Sequence, residues 1–141
     1  MLRIRSAVLE GIMAHVNKEA PLEACGYLAE RDGIVIRHYE LKNVKASEVR
    51  YAMDPAEQFA AVRRMRASGL RLRGAYHSHP TTPARPSAED LRLAHDRDLS
   101  YVIVSLIDYS MRSFKMKEGA FEREEIEIVD GAHDKDRSGP R

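Results

Sequence analysis

Leu2 and Ile4 alternate with arginines, the period-two pattern of a short strand. From Ser6, placed as an N-cap, Val8, Leu9, Ile12, Met13 and Val16 fall on one helical stripe. The stripe ends near Asn17, and Pro21 blocks extension. The second half of Leu22 to Ala29 reads as a strand. Asp32-Gly33 then marks a hairpin turn, with Ile34 to Leu41 as the returning strand. Asn43 to Arg50 is polar and reads as a loop, and Tyr51-Ala52-Met53 as a short strand. Asp54-Pro55 opens a second helix, an acid at the N-cap before proline at the first helical position. Phe59, Val62 and Met65 mark its buried face to about Ala67, and Gly69 ends it. Leu70 to His79 reads as a strand stopped by Pro80. Thr81 to Pro86 is a proline-stiffened surface loop, and Ser87 opens a short helix with Leu91 and Ala94 pointing inward. Tyr101 to Ile107 is almost continuously apolar, as in a strand buried on both faces. Met111 to Met116 and Phe121 to Val129 give two more strands, parted at Gly119. This order predicts an α/β sandwich, a mixed sheet with helices packed on it, as a single domain over residues 1–129. Residues 130–141 are polar and read as a disordered tail.

Composition narrows the classes. The 141 residues suit one domain, and 43% hydrophobic with 32% charged residues is ordinary for a globular protein. A net charge of +1 points to neither nucleic acid nor an anionic membrane. The arginines Arg63, Arg64, Arg66, Arg71 and Arg73 form a local basic cluster that reads first as a solvated face. The N-terminus lacks the apolar core of a secretory signal, and no run approaches the roughly 18 apolar residues of a membrane span. With one cysteine, Cys25, no internal disulfide can form. A cytoplasmic protein is expected, with Cys25 read as a buried small residue.

The chemistry concentrates in His77-Ser78-His79-Pro80, followed by Ser87 and Asp90. At a strand end, positions i and i+2 put both imidazoles on one face and turn Ser78 to the other. Imidazole is the commonest protein ligand for zinc, and a carboxylate oxygen is an acceptable third. Three protein ligands leave a fourth tetrahedral position open, the catalytic arrangement. Such chemistry also needs a base, and Glu23 is the candidate, although spacing alone does not bring it to the histidines. Ser87-x-x-Asp90 is equally a capping-box helix start, and the two readings are compatible because a capped helix holds a ligand rigidly. His15, His38, His95 and His133 have no ligand partners at useful spacing and read as structural or solvated.

Taken together, Glu23, His77-Ser78-His79-Pro80, Ser87 and Asp90 fill every position of a motif that resembles the JAMM (MPN-plus) metalloproteases. The flanking Glu23-Ala24-Cys25-Gly26 and Gly74-Ala75-Tyr76 also look like that family's settings, and the likeness extends from about Leu2 to Val129. The resemblance implies the MPN/JAMM fold, with its cytidine-deaminase-like layout. It implies Zn2+ held by His77, His79 and Asp90, Glu23 as general acid/base, and Ser87 polarising the scissile carbonyl. It further implies hydrolysis of an amide or isopeptide bond at the C-terminus of a ubiquitin-like protein. The short segment between Asp90 and the Tyr101 strand is more similar to small stand-alone prokaryotic members, associated with ubiquitin-like sulfur-carrier proteins, than to larger linkage-specific deubiquitinases. A broader deubiquitinase-like isopeptidase and a non-catalytic MPN scaffold are the alternatives. Exposed edges on a small sheet would allow a homodimer.

Overall fold

A computed structural model describes residues 1–94 and 96–130. The strands are β1 (Leu2–Ile4), β2 (Cys25–Arg31), β3 (Ile34–Leu41), β4 (Arg71–His79), β5 (Ser100–Ser105), β6 (Met111–Lys117), β7 (Ala120–Glu124) and β8 (Ile126–Ile128). The helices are α1 (Ser6–Glu19), α2 (Pro55–Ala67) and α3 (Ala88–Leu93). The strands form one mixed sheet in the order β7-β6-β5-β4-β2-β3-β1-β8.

The helices cover opposite faces, as the sequence predicts. Val8, Ile12 and Val16 of α1 bury against Leu28, Val35, Tyr76, Val102 and Val104. Ala61 and Met65 of α2 bury against Tyr27, Ala29, Tyr39, Leu41 and Ala75. Each large apolar side chain so buried is worth about 1.5–3 kcal/mol. Between these layers, β4 pairs antiparallel with β2 and parallel with β5. Its residues from Gly74 to His79 are buried, so the histidine end of β4 is enclosed. The β2–β3 hairpin turns at Asp32 and Gly33, both at positive φ, as expected for a two-residue Asp-Gly connection. Gly26 is required by proximity: a Cβ there would lie 2.4 Å from the Tyr39 carbonyl and 2.5 Å from the Tyr76 ring.

Several expectations are corrected. Ser6 is the first residue of α1, not its cap, and its amide donates to Asp130 Oδ1 at 3.1 Å. Residues 131–141 of the expected tail lie outside the described residues. Tyr51 to Met53 has no strand partner and is coil. Phe59 is 65% exposed, because the inward face of α2 follows Ala61 and Met65, and its ring lies under Arg63. Leu91 is also exposed, whereas Asp90 is the buried residue of α3. The last expected strand is two. β7 pairs with β6 at one edge, and β8 pairs in parallel with β1 at the other. Only Glu125 separates them, so the sheet curls until its two edges are joined by one extended segment. The edge strands are five and three residues long.

Candidate metal centre

β4 delivers His77 and His79 to one face, and α3 delivers Asp90 opposite them. His77 Nε2 and His79 Nε2 are 3.3 Å apart. Asp90 Oδ1 lies 3.1 Å from the first nitrogen, and Oδ2 lies 3.0 Å from the second. All three residues are buried, and they form the one potential metal-binding group among the described residues.

The surroundings fix each ligand. His79 Nδ1 is 2.9 Å from the Pro83 carbonyl, an acceptor only, so Nδ1 carries the proton and donates. Nε2 then presents a lone pair to its neighbours, the orientation that a backbone carbonyl imposes on metal-binding histidines. The loop containing Pro83 is tied down by Ser105 Oγ, which donates to the Thr82 carbonyl, and by buried Ala84. The His77 ring is stacked by Tyr51, 4.5 Å between centroids and 22° between planes. Asp90 is held by a reciprocal capping box. Asp90 N donates to Ser87 Oγ at 3.0 Å, and Ser87 N donates to Asp90 Oδ2 at 2.9 Å. The capping reading of Ser87-x-x-Asp90 holds, and the box leaves the Asp90 carboxylate facing both histidines.

Glu23 comes to the site through strand pairing. Cys25 pairs with His77, and Ala24 binds Ser78 twice: Ala24 N donates to Ser78 Oγ at 2.8 Å, and Ser78 N donates to the Ala24 carbonyl at 3.0 Å. Ser78 thus has the structural role its alternation suggests, and Glu23 stands level with His79. It is 5% exposed. Burial raises its pKa to about 7, with opposing influences from His79 and Asp90. Asn43, read from sequence as ordinary loop, fixes this residue. Its amide donates to the Glu23 and Arg50 carbonyls, and its Oδ1 accepts from the amides of Lys45 and Ala52. Neither Asn43 nor Tyr51 carries a local signal for these roles, because both act through residues distant in the chain.

The electrostatics suit a cation. Burial lowers the His77 pKa and keeps that ring neutral, against the pull of Asp90. For His79 burial acts in the same direction, but Asp90 and the Pro83 carbonyl outweigh it and the pKa rises. Asp90 pays a burial penalty too, yet both histidines hold its carboxyl well below the usual range. Two imidazole nitrogens and a carboxylate oxygen facing each other at 3.0–3.3 Å are electron-rich atoms that a shared proton or a metal cation must reconcile. Two nitrogens and one oxygen, with a protein carbonyl orienting one imidazole, fit zinc.

Residues 5–117 match the family described as prokaryotic homologs of the JAB domain. The chain belongs to this family. It is 34% identical over 135 residues to a CysO-cysteine peptidase of Mycobacterium tuberculosis, covering 92% of each chain. It is 36% identical over 120 residues to a probable TtuB-protein conjugate cleaving protease of Thermus thermophilus, covering 84% of this chain and 78% of the relative. A solution structure of a protein from Desulfitobacterium hafniense superposes with a TM-score of 0.85 at 42% identity, covering 94% of this chain and 97% of that one. The likeness to small prokaryotic JAMM proteins and the MPN-type α/β fold both hold. No helix among the described residues is long and apolar enough to cross a membrane.

Proposed function

We propose that the chain is a zinc-dependent metallopeptidase of the JAMM type, which hydrolyses an amide bond at the C-terminus of a ubiquitin-like, sulfur-carrier-type protein. The observation that carries the reading is the convergence of His77, His79 and Asp90 to within 3.3 Å, with Glu23 buried level with His79. The unit that performs it is residues 1–129. The names of the Mycobacterium and Thermus relatives, one a CysO-cysteine peptidase and the other a protease for TtuB conjugates, support the substrate class.

His77, His79 and Asp90 would hold the zinc, which when bound supplies Lewis-acid polarisation of the attacking water and of the scissile carbonyl. Glu23, with a proton affinity near neutrality, takes the proton from the water at its carboxylate and passes it to the departing amine. Ser87 Oγ accepts from the Asp90 amide and keeps its own O–H to donate to the carbonyl oxygen as charge develops there. Pro83 holds His79 in one tautomer throughout. Tyr51 keeps the His77 ring in plane and excludes water from that side.

The test is incubation of zinc-loaded protein with a sulfur-carrier protein bearing a C-terminal extension, read by intact mass. Release of the extension by the wild type but not by Glu23→Gln is expected. An unchanged mass with zinc-loaded wild type contradicts the reading.

A further inference from the structure

Glu23 stands just before β2, whose ladder bonds begin at Cys25, so the sheet itself does not hold its main chain. A buried residue in that position needs other partners for its N–H and C=O. Both come from one segment, the coil between β3 and α2. Glu23 N donates to the Ser47 carbonyl at 2.8 Å, and Asn43 Nδ2 donates to the Glu23 carbonyl at 3.0 Å. The coil is also closed on itself. Val44 N donates to the Ala52 carbonyl at 2.9 Å, and Ala46 N donates to the Asn43 carbonyl at 3.1 Å.

Asn43 is the centre of that closure, and its buried carboxamide is fully used. Nδ2 gives its second proton to the Arg50 carbonyl at 2.9 Å, and Oδ1 accepts from Lys45 N at 3.0 Å and Ala52 N at 3.1 Å. Arg50 and Ala52 flank Tyr51, whose ring stacks on His77. One side chain therefore bonds to the main chain of the base and to the main chain on both sides of the ring that covers a metal ligand. We propose that Asn43 is a positioning residue, which holds the Glu23 carboxylate and the Tyr51–His77 stack at one fixed spacing. For turnover this rests on the peptidase reading above; for the two side chains it rests on the geometry alone. The ligands themselves are held by β4, by the Pro83 carbonyl and by the Ser87 capping box, so zinc content should not depend on Asn43. A base displaced by about 1 Å, by contrast, costs roughly 10²-fold in rate.

Asn43→Asp keeps the shape of the side chain and both acceptor bonds and removes both donors. Asn43→Ala removes all four bonds, and Val49→Ala, at a position 68% exposed in the same coil, is the control. Zinc content and thermal melting establish that each variant is folded and loaded. NMR of zinc-loaded protein without substrate then reads the two ends of the hold separately. In both Asn43 variants the Glu23 amide should exchange with solvent about tenfold faster or more. The His77 ring protons should move from their wild-type shifts towards those of Tyr51→Leu, which removes the stack. With a sulfur-carrier protein bearing a C-terminal extension as substrate, kcat should fall about 10–100-fold, with KM little changed and one zinc retained. Val49→Ala should match the wild type in every reading. Either NMR reading at its wild-type value in both Asn43 variants overturns the positioning role. So does wild-type turnover in those variants, or a loss of turnover that follows zinc content. The NMR readings need no substrate, so they judge Asn43 even where the wild type hydrolyses nothing, an outcome that overturns the peptidase reading alone.

Discussion

The two faces of the sheet each carry a pair of histidines and a carboxylate, and on only one face do the three converge on a single point. Under α1, His15 Nδ1 is 2.7 Å from the Tyr76 hydroxyl, His38 Nε2 is 3.1 Å from Glu40 Oε2, and Lys18 Nζ is 3.1 Å from Glu40 Oε1. His15 Nε2 stands 4.0 Å from the same carboxylate. There the Glu40 carboxylate already accepts from the His38 ring and the Lys18 ammonium, so a cation is in place beside it. On the other face, His77, His79 and Asp90 aim three ligand atoms at one point, and the remaining nitrogen of His79 is bound to a carbonyl. The residue types are the same. What differs is the second partner of each ring, which decides whether lone pairs are spent locally or converge.

The largest effect expected on this contrast is catalytic. Glu23→Gln should lower turnover of a cleavable substrate about 10²–10⁴-fold while zinc content stays at one per chain. Equal losses of activity and zinc would make Glu23 a determinant of the site's fold instead. Changing Lys18 or His38 should leave turnover unaltered in the same assay.

The same variant has an opposite effect on stability. Burial raises the Glu23 pKa from 4.5 to about 7. Between those values the folded metal-free chain holds a proton that the unfolded chain has lost, so stability falls as pH rises, and the loss is complete above about 7. Denaturation of metal-free protein at pH 8 should therefore find Glu23→Gln more stable than wild type, by an amount on the order of 1–3 kcal/mol. A pH-independent difference would show that burial of the charge is not the cause.

The α1 face gives a smaller signal on the acid side. Burial lowers the His15 pKa below 6.5, with Glu40 opposing. As pH falls through 6.5 the unfolded chain takes up a proton that the folded chain refuses, so stability present at neutral pH is lost towards the lower folded value. In metal-free protein, His15→Asn should flatten that part of the profile. Tyr76→Phe, which removes the hydroxyl facing His15 Nδ1, should cost about 1 kcal/mol at neutral pH and leave zinc binding unchanged.

These contrasts also explain what could be read from the chain alone. His77, His79 and Asp90 were legible because ligand chemistry restricts residue type and a strand's period of two restricts spacing. The helical stripe of α1 and the apolar run of β5 were legible because one periodicity dominates each. Glu23 could not be placed by spacing, since its position depends on the register of Cys25 against His77, 52 residues later. Tyr51 and Asn43 carry no sequence signal for a related reason: their roles arise where a coil packs on a distant strand. Phe59 misled because a large apolar residue within a helix reads as core, whereas α2 turns Ala61 and Met65 towards the sheet. The segment from Phe121 predicts a single strand because β-pattern alone carries no record of a partner change, and here the partner changes at Glu125 from β6 to β1.

The central claim is that convergence, not residue type, makes the metal site, and zinc stoichiometry tests it most directly. Zinc per chain should be measured by elemental mass spectrometry, after loading and exhaustive dialysis, for wild type, His77→Gln and a His15→Asn/His38→Asn double variant. One zinc is expected in the wild type, none in His77→Gln and one in the double variant. A wild type that retains no zinc, or a double variant that loses it while still folded, would contradict it.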